Sequence, residues 1–60
     1  MNKIVYDINT GVILAIVGPD QDAEIVADNY DNSKVLKTNI NIELPWEYQV
    51  DLDTETVIEK

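Results

Sequence analysis

The segment Val12-Ile13-Leu14-Ala15-Ile16-Val17 decides the fold of this 60-residue chain. A run of six apolar residues ended by Gly18-Pro19 is typical of a β-strand and is far shorter than the roughly 20 residues of a membrane-spanning helix. A strand with one face in water alternates apolar and polar residues, and this segment does not. Both of its faces must therefore be covered.

The residues before this segment predict a β-hairpin over 3–17. Alternating apolar residues from Ile4 to Ile8 indicate its first strand, and Asn9-Thr10-Gly11 indicate a three-residue turn with Gly11 in the left-handed conformation. Counting outward from the turn fixes the register of the two strands. The expected pairs, all on one buried face, are Ile8 with Val12, Tyr6 with Leu14 and Ile4 with Ile16.

The rest of the chain predicts one helix and more strands. Pro19 suits the first position of a helix over about 20–30, and the acidic residues after it favour a helix N-terminus. Alternation of apolar residues predicts strands over 34–44 and a second hairpin over 46–59, which turns at Asp53-Thr54. The expected fold is a single α+β domain over 1–60: a small antiparallel sheet of four to five strands, built from two hairpins, with one short helix packed on it.

The two predicted turns have similar sequences. Asp7-Ile8-Asn9-Thr10-Gly11 aligns with Asp51-Leu52-Asp53-Thr54-Glu55, so Glu55 stands where the first turn has glycine. Two hairpins that converged on a good turn sequence would give the same likeness. The second turn is expected to be less well specified.

The composition excludes several kinds of chemistry. The chain has no cysteine and no histidine, which removes disulfides, zinc sites and catalysis by Cys/His or Ser/His pairs. A chain this small can hardly enclose a substrate cleft, so no enzyme and no cofactor is predicted. Asp51, Asp53 and Glu55 could gather around a hard cation at the hairpin tip, although a solvated turn that needs no ion is the alternative, and no metal site is predicted.

Twelve acidic residues against four lysines give a net charge of −8. This charge excludes direct nucleic-acid binding through basic residues and favours a basic protein partner. One segment could form an acidic face that imitates the phosphates of DNA, the alternative being that the charge only keeps a small domain soluble. The residues of this acidic face are Asp20, Asp22, Glu24, Asp28 and Asp31.

Two surfaces are candidates for contacts with other chains. A 60-residue chain buries only about 60% of its unfolded surface. A homodimer with Ile13, Ala15 and Val17 at its interface is therefore expected, the alternative being that the C-terminal hairpin covers that face. Trp46 and Tyr48 are predicted to contact a partner, because Trp and Tyr dominate interface energetics, although they could instead pack in the core.

The turn sequence of the first hairpin is similar to one found in other proteins. Tyr6-Asp7-Ile8-Asn9-Thr10-Gly11 resembles the Tyr-Asp-x-x-Thr-Gly hairpins of many bacteriophage and bacterial surface proteins, and the small acidic format is similar to that of bacteriophage accessory proteins. The resemblance implies a phage-encoded, non-enzymatic interaction protein that inhibits a host defence protein. A virion or tail component and an acidic DNA mimic are the alternatives.

The N-terminus bears on the location of the protein. Met1-Asn2-Lys3 precedes no long apolar run and no cleavage site of small residues, and the chain therefore looks like a whole small gene product without a signal peptide. A cytoplasmic location, with no membrane partner, is expected.

Overall fold

The computed structural model describes residues 2–60, which form five strands, one helix and one 3-10 turn. The strands are β1 (Asn2–Asp7), β2 (Ile13–Val17), β3 (Ser33–Thr38), β4 (Tyr48–Asp51) and β5 (Thr56–Glu59); the helix is α1 (Ala23–Asp28), and the 3-10 turn is Pro45–Glu47. All strand pairs are antiparallel, in a three-stranded sheet of order β2-β1-β3 and a two-stranded sheet β4-β5. The predicted α+β class is confirmed. Within residues 2–60 no helix has the length and apolar character needed to cross a membrane.

The central strand β1 is buried on both of its faces. Ile4 and Tyr6 point into the main core, which lies between the two sheets and also contains Ile13, Ile42, Val50 and Val57. Val5 points the other way, into a second core under the helix, together with Val17 and Ala23. The molecule therefore has three layers, with the three-stranded sheet between α1 and the C-terminal hairpin.

These layers also cover both faces of β2. Ile13 lies in the main core and is 9% exposed, Val17 lies in the helix core and is 2% exposed, and Ala15 is half-buried against the helix core. The chain itself therefore buries Ile13 and Val17, two of the three residues predicted to form the self-association interface with Ala15. The homodimer stays a prediction, but the reason that was given for it no longer holds.

A β-bulge changes the predicted register of the first hairpin. Ile4 pairs with Ile16 as expected, but Tyr6 pairs with Ile13 instead of Leu14, because Leu14 is an extra residue in β2. A shift of one residue moves a side chain to the opposite face of the sheet, which is why Ile13 joins Tyr6 in the main core.

The predicted pair Ile8–Val12 is also absent from the register. Ile8 lies in the turn, and the amide of Asp7 donates to the carbonyl oxygen of Val12 at 2.9 Å, which closes the hairpin one residue earlier than expected. As a result Ile8 and Val12 remain exposed, and Ile16 is exposed as well although it pairs with Ile4 as predicted, in contrast to the buried face predicted for all three.

Gly11 joins the two sheets. Its carbonyl oxygen accepts a hydrogen bond from the amide of Val50 at 2.8 Å, next to a single β-bridge between Val12 and Gln49. The φ angle of Gly11 is +79°, and a Cβ atom at this position would collide with the carbonyl oxygen of Val50. Only glycine therefore allows β4 to approach the first turn this closely.

Two elements are shorter than the sequence predicts. The helix begins at Ala23 rather than near residue 20, because Gly18 to Gln21 form a turn in which the amide of Gln21 donates to the carbonyl oxygen of Gly18 at 3.1 Å. Of the strands predicted over 34–44, the structure forms β3, whose last residue Thr38 pairs with Asn2. Residues 39–44 are irregular, and Ile42 alone of their apolar side chains is buried.

Candidate interaction surface

Trp46 is the most exposed large hydrophobic residue of the described chain, with 67% of its surface accessible. It lies in the 3-10 turn, which begins with Pro45, and the turn is closed by a hydrogen bond from the amide of Glu47 to the carbonyl oxygen of Leu44 at 2.9 Å. Proline fixes the backbone at the start of such a turn. The indole is therefore presented to solvent from a defined backbone.

A groove of about 450 Å³ lies beside Trp46. Its other lining residues are Glu47, Tyr48, Glu59 and Lys60. Tyr48 is half-buried and packs against the main core, so the groove has one anchored aromatic side chain and one exposed one. The structure thus brings both predicted contact residues, Trp46 and Tyr48, into one surface.

The second hairpin determines which residues line this groove. Tyr48 and Glu59 are direct cross-strand partners, and the amide of Lys60 donates to the carbonyl oxygen of Glu47 at 3.0 Å, which ties the end of β5 to the 3-10 turn. The sequence prediction did not include Glu59 and Lys60. Counting outward from the turn at 52–55 pairs Tyr48 with Glu59 and would have found them.

The five residues of the predicted acidic face are all exposed. Asp22 also caps α1, because its carboxylate accepts a hydrogen bond from the amide of Glu24 at 3.0 Å. Asp22, Glu24 and Asp28 line a second groove, of about 680 Å³, between α1 and the three-stranded sheet. Lys3, Lys34 and Lys37 line the same groove, so its charge is mixed rather than acidic.

The carboxylates at the tip of the second hairpin have local partners. Asp51 accepts from the amide of Asp53 at 2.9 Å, and Glu55 lies 3.4 Å from the ammonium group of Lys34. Across residues 2–60 no group of three or more acidic side chains is arranged to hold a metal ion. These side chains organise the turn and its contact with β3.

Comparisons with protein-family models, with curated proteins and with solved structures found no match to this chain.

Proposed function

We propose that the chain is a non-enzymatic protein-binding module whose contact surface is centred on Trp46 and Tyr48. The observation that carries this proposal is the 67% exposure of Trp46 on a turn that one backbone hydrogen bond closes and another joins to the end of β5. Rigid aromatic side chains are the usual anchors of protein interfaces, and Trp is the residue most enriched among them.

The charge of the molecule supports a basic partner. The segment 43–59 contains six of the twelve acidic residues and no lysine. Complementary charge raises the rate of association and disfavours partners of like charge. The partner surface is therefore proposed to be positively charged around a pocket that accepts the indole.

The biological setting follows from the resemblance of residues 6–11 to hairpins of bacteriophage proteins. We propose that the module is phage-encoded, acts in the host cytoplasm, and blocks a host defence protein by occupying its surface.

The test is capture of binding partners from a bacterial lysate with the full chain as bait. We expect one protein to be retained, and Trp46→Ala to reduce its retention more than about tenfold, as expected for an interface anchor. Ile25→Ala is the matched control, because Ile25 is 63% exposed but lies on α1. Equal loss with both variants, or no loss with Trp46→Ala at an unchanged melting temperature, would remove Trp46 from the contact surface.

An acidic DNA mimic is a second candidate, favoured by the exposure of all five residues of the predicted acidic face. The three lysines in the groove of α1 interrupt the row of negative charge that such imitation needs. Competition decides between the two functions: DNA should displace a mimic from its target, whereas a Trp46-centred complex should be lost with Trp46→Ala and compete little with DNA.

A virion or tail component is the third candidate function. It differs from a diffusible inhibitor in that the chain would assemble into a larger particle. Open-ended polymers of the chain, or its retention in purified particles, would favour this candidate over a diffusible inhibitor.

A further inference from the structure

We propose that the groove beside Trp46 binds an arginine side chain of the partner protein. This inference rests on the proposed function and names the group that is recognised. The groove is lined by two aromatic residues, Trp46 and Tyr48, by two carboxylates, Glu47 and Glu59, and by one cation, Lys60, so its lining carries one net negative charge. Cations are attracted to the faces of Trp and Tyr, and a planar guanidinium can stack on an aromatic ring while it donates two hydrogen bonds to a carboxylate.

The carboxylates of the groove are available to a ligand. Among residues 2–60 the one ion pair joins Lys34 to Glu55, at the turn end of the second hairpin. Glu47 and Glu59 are exposed and lie at the other end of that hairpin, beside the 3-10 turn. Their negative charges are therefore not neutralised by an ion pair within the described chain.

The guanidinium must come from another protein. The basic residues of this chain are four lysines, and it has no arginine. A second copy could therefore supply only an ammonium group, which is a point charge without a planar face. A groove that prefers arginine would therefore bind a different protein in preference to a second copy of this chain.

The test is a titration of the full chain with the blocked peptide acetyl-Gly-Arg-Gly-amide, followed through the indole N–H resonance of Trp46. Because Trp46 is the one tryptophan of the chain, this signal reports on the groove directly. We expect a saturable shift in the millimolar range, as a single cation–π contact with charged hydrogen bonds would give. The peptide with citrulline in place of arginine has nearly the same shape without the charge, and should shift the resonance at least tenfold less.

Variants assign the contributions of the lining residues. We expect Glu47→Gln and Glu59→Gln each to weaken arginine-peptide binding by about three- to tenfold. The control Asp53→Asn removes the same charge at the far end of the hairpin and should weaken it less than about twofold. Trp46→Leu, followed through the backbone amide of Tyr48, should abolish binding, while Trp46→Phe should retain part of it.

Two results would overturn the inference. An equal shift with the citrulline peptide would mean that the groove does not recognise charge, and equal affinity for a lysine peptide would remove the preference for arginine. Either result leaves the proposed function intact provided that the partner captured from lysate is still lost in Trp46→Ala. Loss of that dependence would instead refute the proposed contact surface itself.

Discussion

Two residues with positive φ, Gly11 and Glu55, occupy equivalent positions in two turns of similar sequence. Gly11 has a φ of +79° and Glu55 a φ of +54°, and the amide of each donates to the carbonyl oxygen of an aspartate four residues earlier, at 2.8 and 2.7 Å. That aspartate, Asp7 or Asp51, also accepts through its side chain from the amide two residues on. The two turns therefore share one hydrogen-bond pattern, and the likeness of their sequences reflects this common geometry.

At the second turn, glycine would suit the backbone better than glutamate does. A non-glycine residue in the left-handed region costs roughly 1–2 kcal/mol, and the ion pair lost with Glu55 is exposed and contributes less than about 1 kcal/mol. We expect Glu55→Gly to raise the free energy of unfolding by about 0.5–1 kcal/mol in urea denaturation. The control Lys34→Gln removes the same ion pair without changing the turn. A Glu55→Gly variant less stable than this control would contradict the argument.

At the first turn, the substitution Gly11→Ala should have the opposite effect. It combines a strained φ with a collision between the new Cβ and the carbonyl oxygen of Val50. The hydrogen bond that joins the sheets must therefore lengthen or break. We expect a loss of more than about 2 kcal/mol in the free energy of unfolding. Gly18→Ala serves as the control, because the nearest atom to its Cβ would be the side-chain oxygen of Gln21 at 3.7 Å. Equal losses for both alanine variants would mean that the contact with Val50 is not what requires glycine.

At the scale of the element, α1 depends on contacts outside its own backbone. A helix of six residues is far below the length that is stable alone in water. Asp22 caps its N-terminus, and at its C-terminus the Ser33 hydroxyl donates toward the carbonyl oxygens of Ala27 and Tyr30, at 3.1 and 3.0 Å. The helix is therefore held in place by its caps and by the burial of Ala23.

The N-cap gives a direct test of this dependence. We expect Asp22→Ala to lower the free energy of unfolding by about 1 kcal/mol, as loss of a cap hydrogen bond usually does. Asp20→Ala removes the same charge from the neighbouring turn and should change stability by less than about 0.5 kcal/mol. Equal effects in thermal denaturation would show that Asp22 acts through its charge, as a member of the acidic face, rather than as a cap.

The elements also show how far the sequence alone predicts the structure. Local turn chemistry placed the end of β2 before Gly18-Pro19 and the whole of β5 correctly, because glycine, proline and aspartate act within a few residues. The extra residue Leu14 could not be foreseen, since an apolar segment reads the same with or without a bulge. Its effect is to place Ile13 in the main core, on the face opposite Ala15 and Val17, so the three residues of the predicted interface do not share one face.

Some residues of the candidate site could likewise be predicted from the sequence, and others could not. Trp46 was predicted to contact a partner, with core packing as the alternative, and its 67% exposure excludes core packing within the chain while the contact stays a prediction. Glu59 lies beside Tyr48 because of the register of the second hairpin. Counting outward from the predicted turn gives this register. The three lysines beside α1 could not be placed, because their position depends on how the helix crosses the sheet.

At the scale of the whole molecule, the single chain is already as compact as a folded monomer should be. Its radius of gyration is 10.3 Å, against about 10.4 Å expected for 60 residues. Its accessible surface is 4214 Å², against roughly 4,000 Å² expected for a folded protein of this mass. The helix and the C-terminal hairpin thus provide the second and third layers that a partner chain was expected to supply.

Self-association is therefore expected to be weak. A stable dimer buries about 800 Å² on each partner, close to a fifth of this surface, and β2 offers only scattered exposed side chains once Ile13 and Val17 are buried. We expect sedimentation equilibrium at tens of micromolar to give the 6.8 kDa mass of the monomer. A mass near twice this value would support the predicted homodimer, and two substitutions would then test whether its interface lies on the exposed residues of β2. Ile16→Lys would then dissociate it, since a charge in the middle of an apolar interface is costly to bury, while Ile25→Lys on α1 would not.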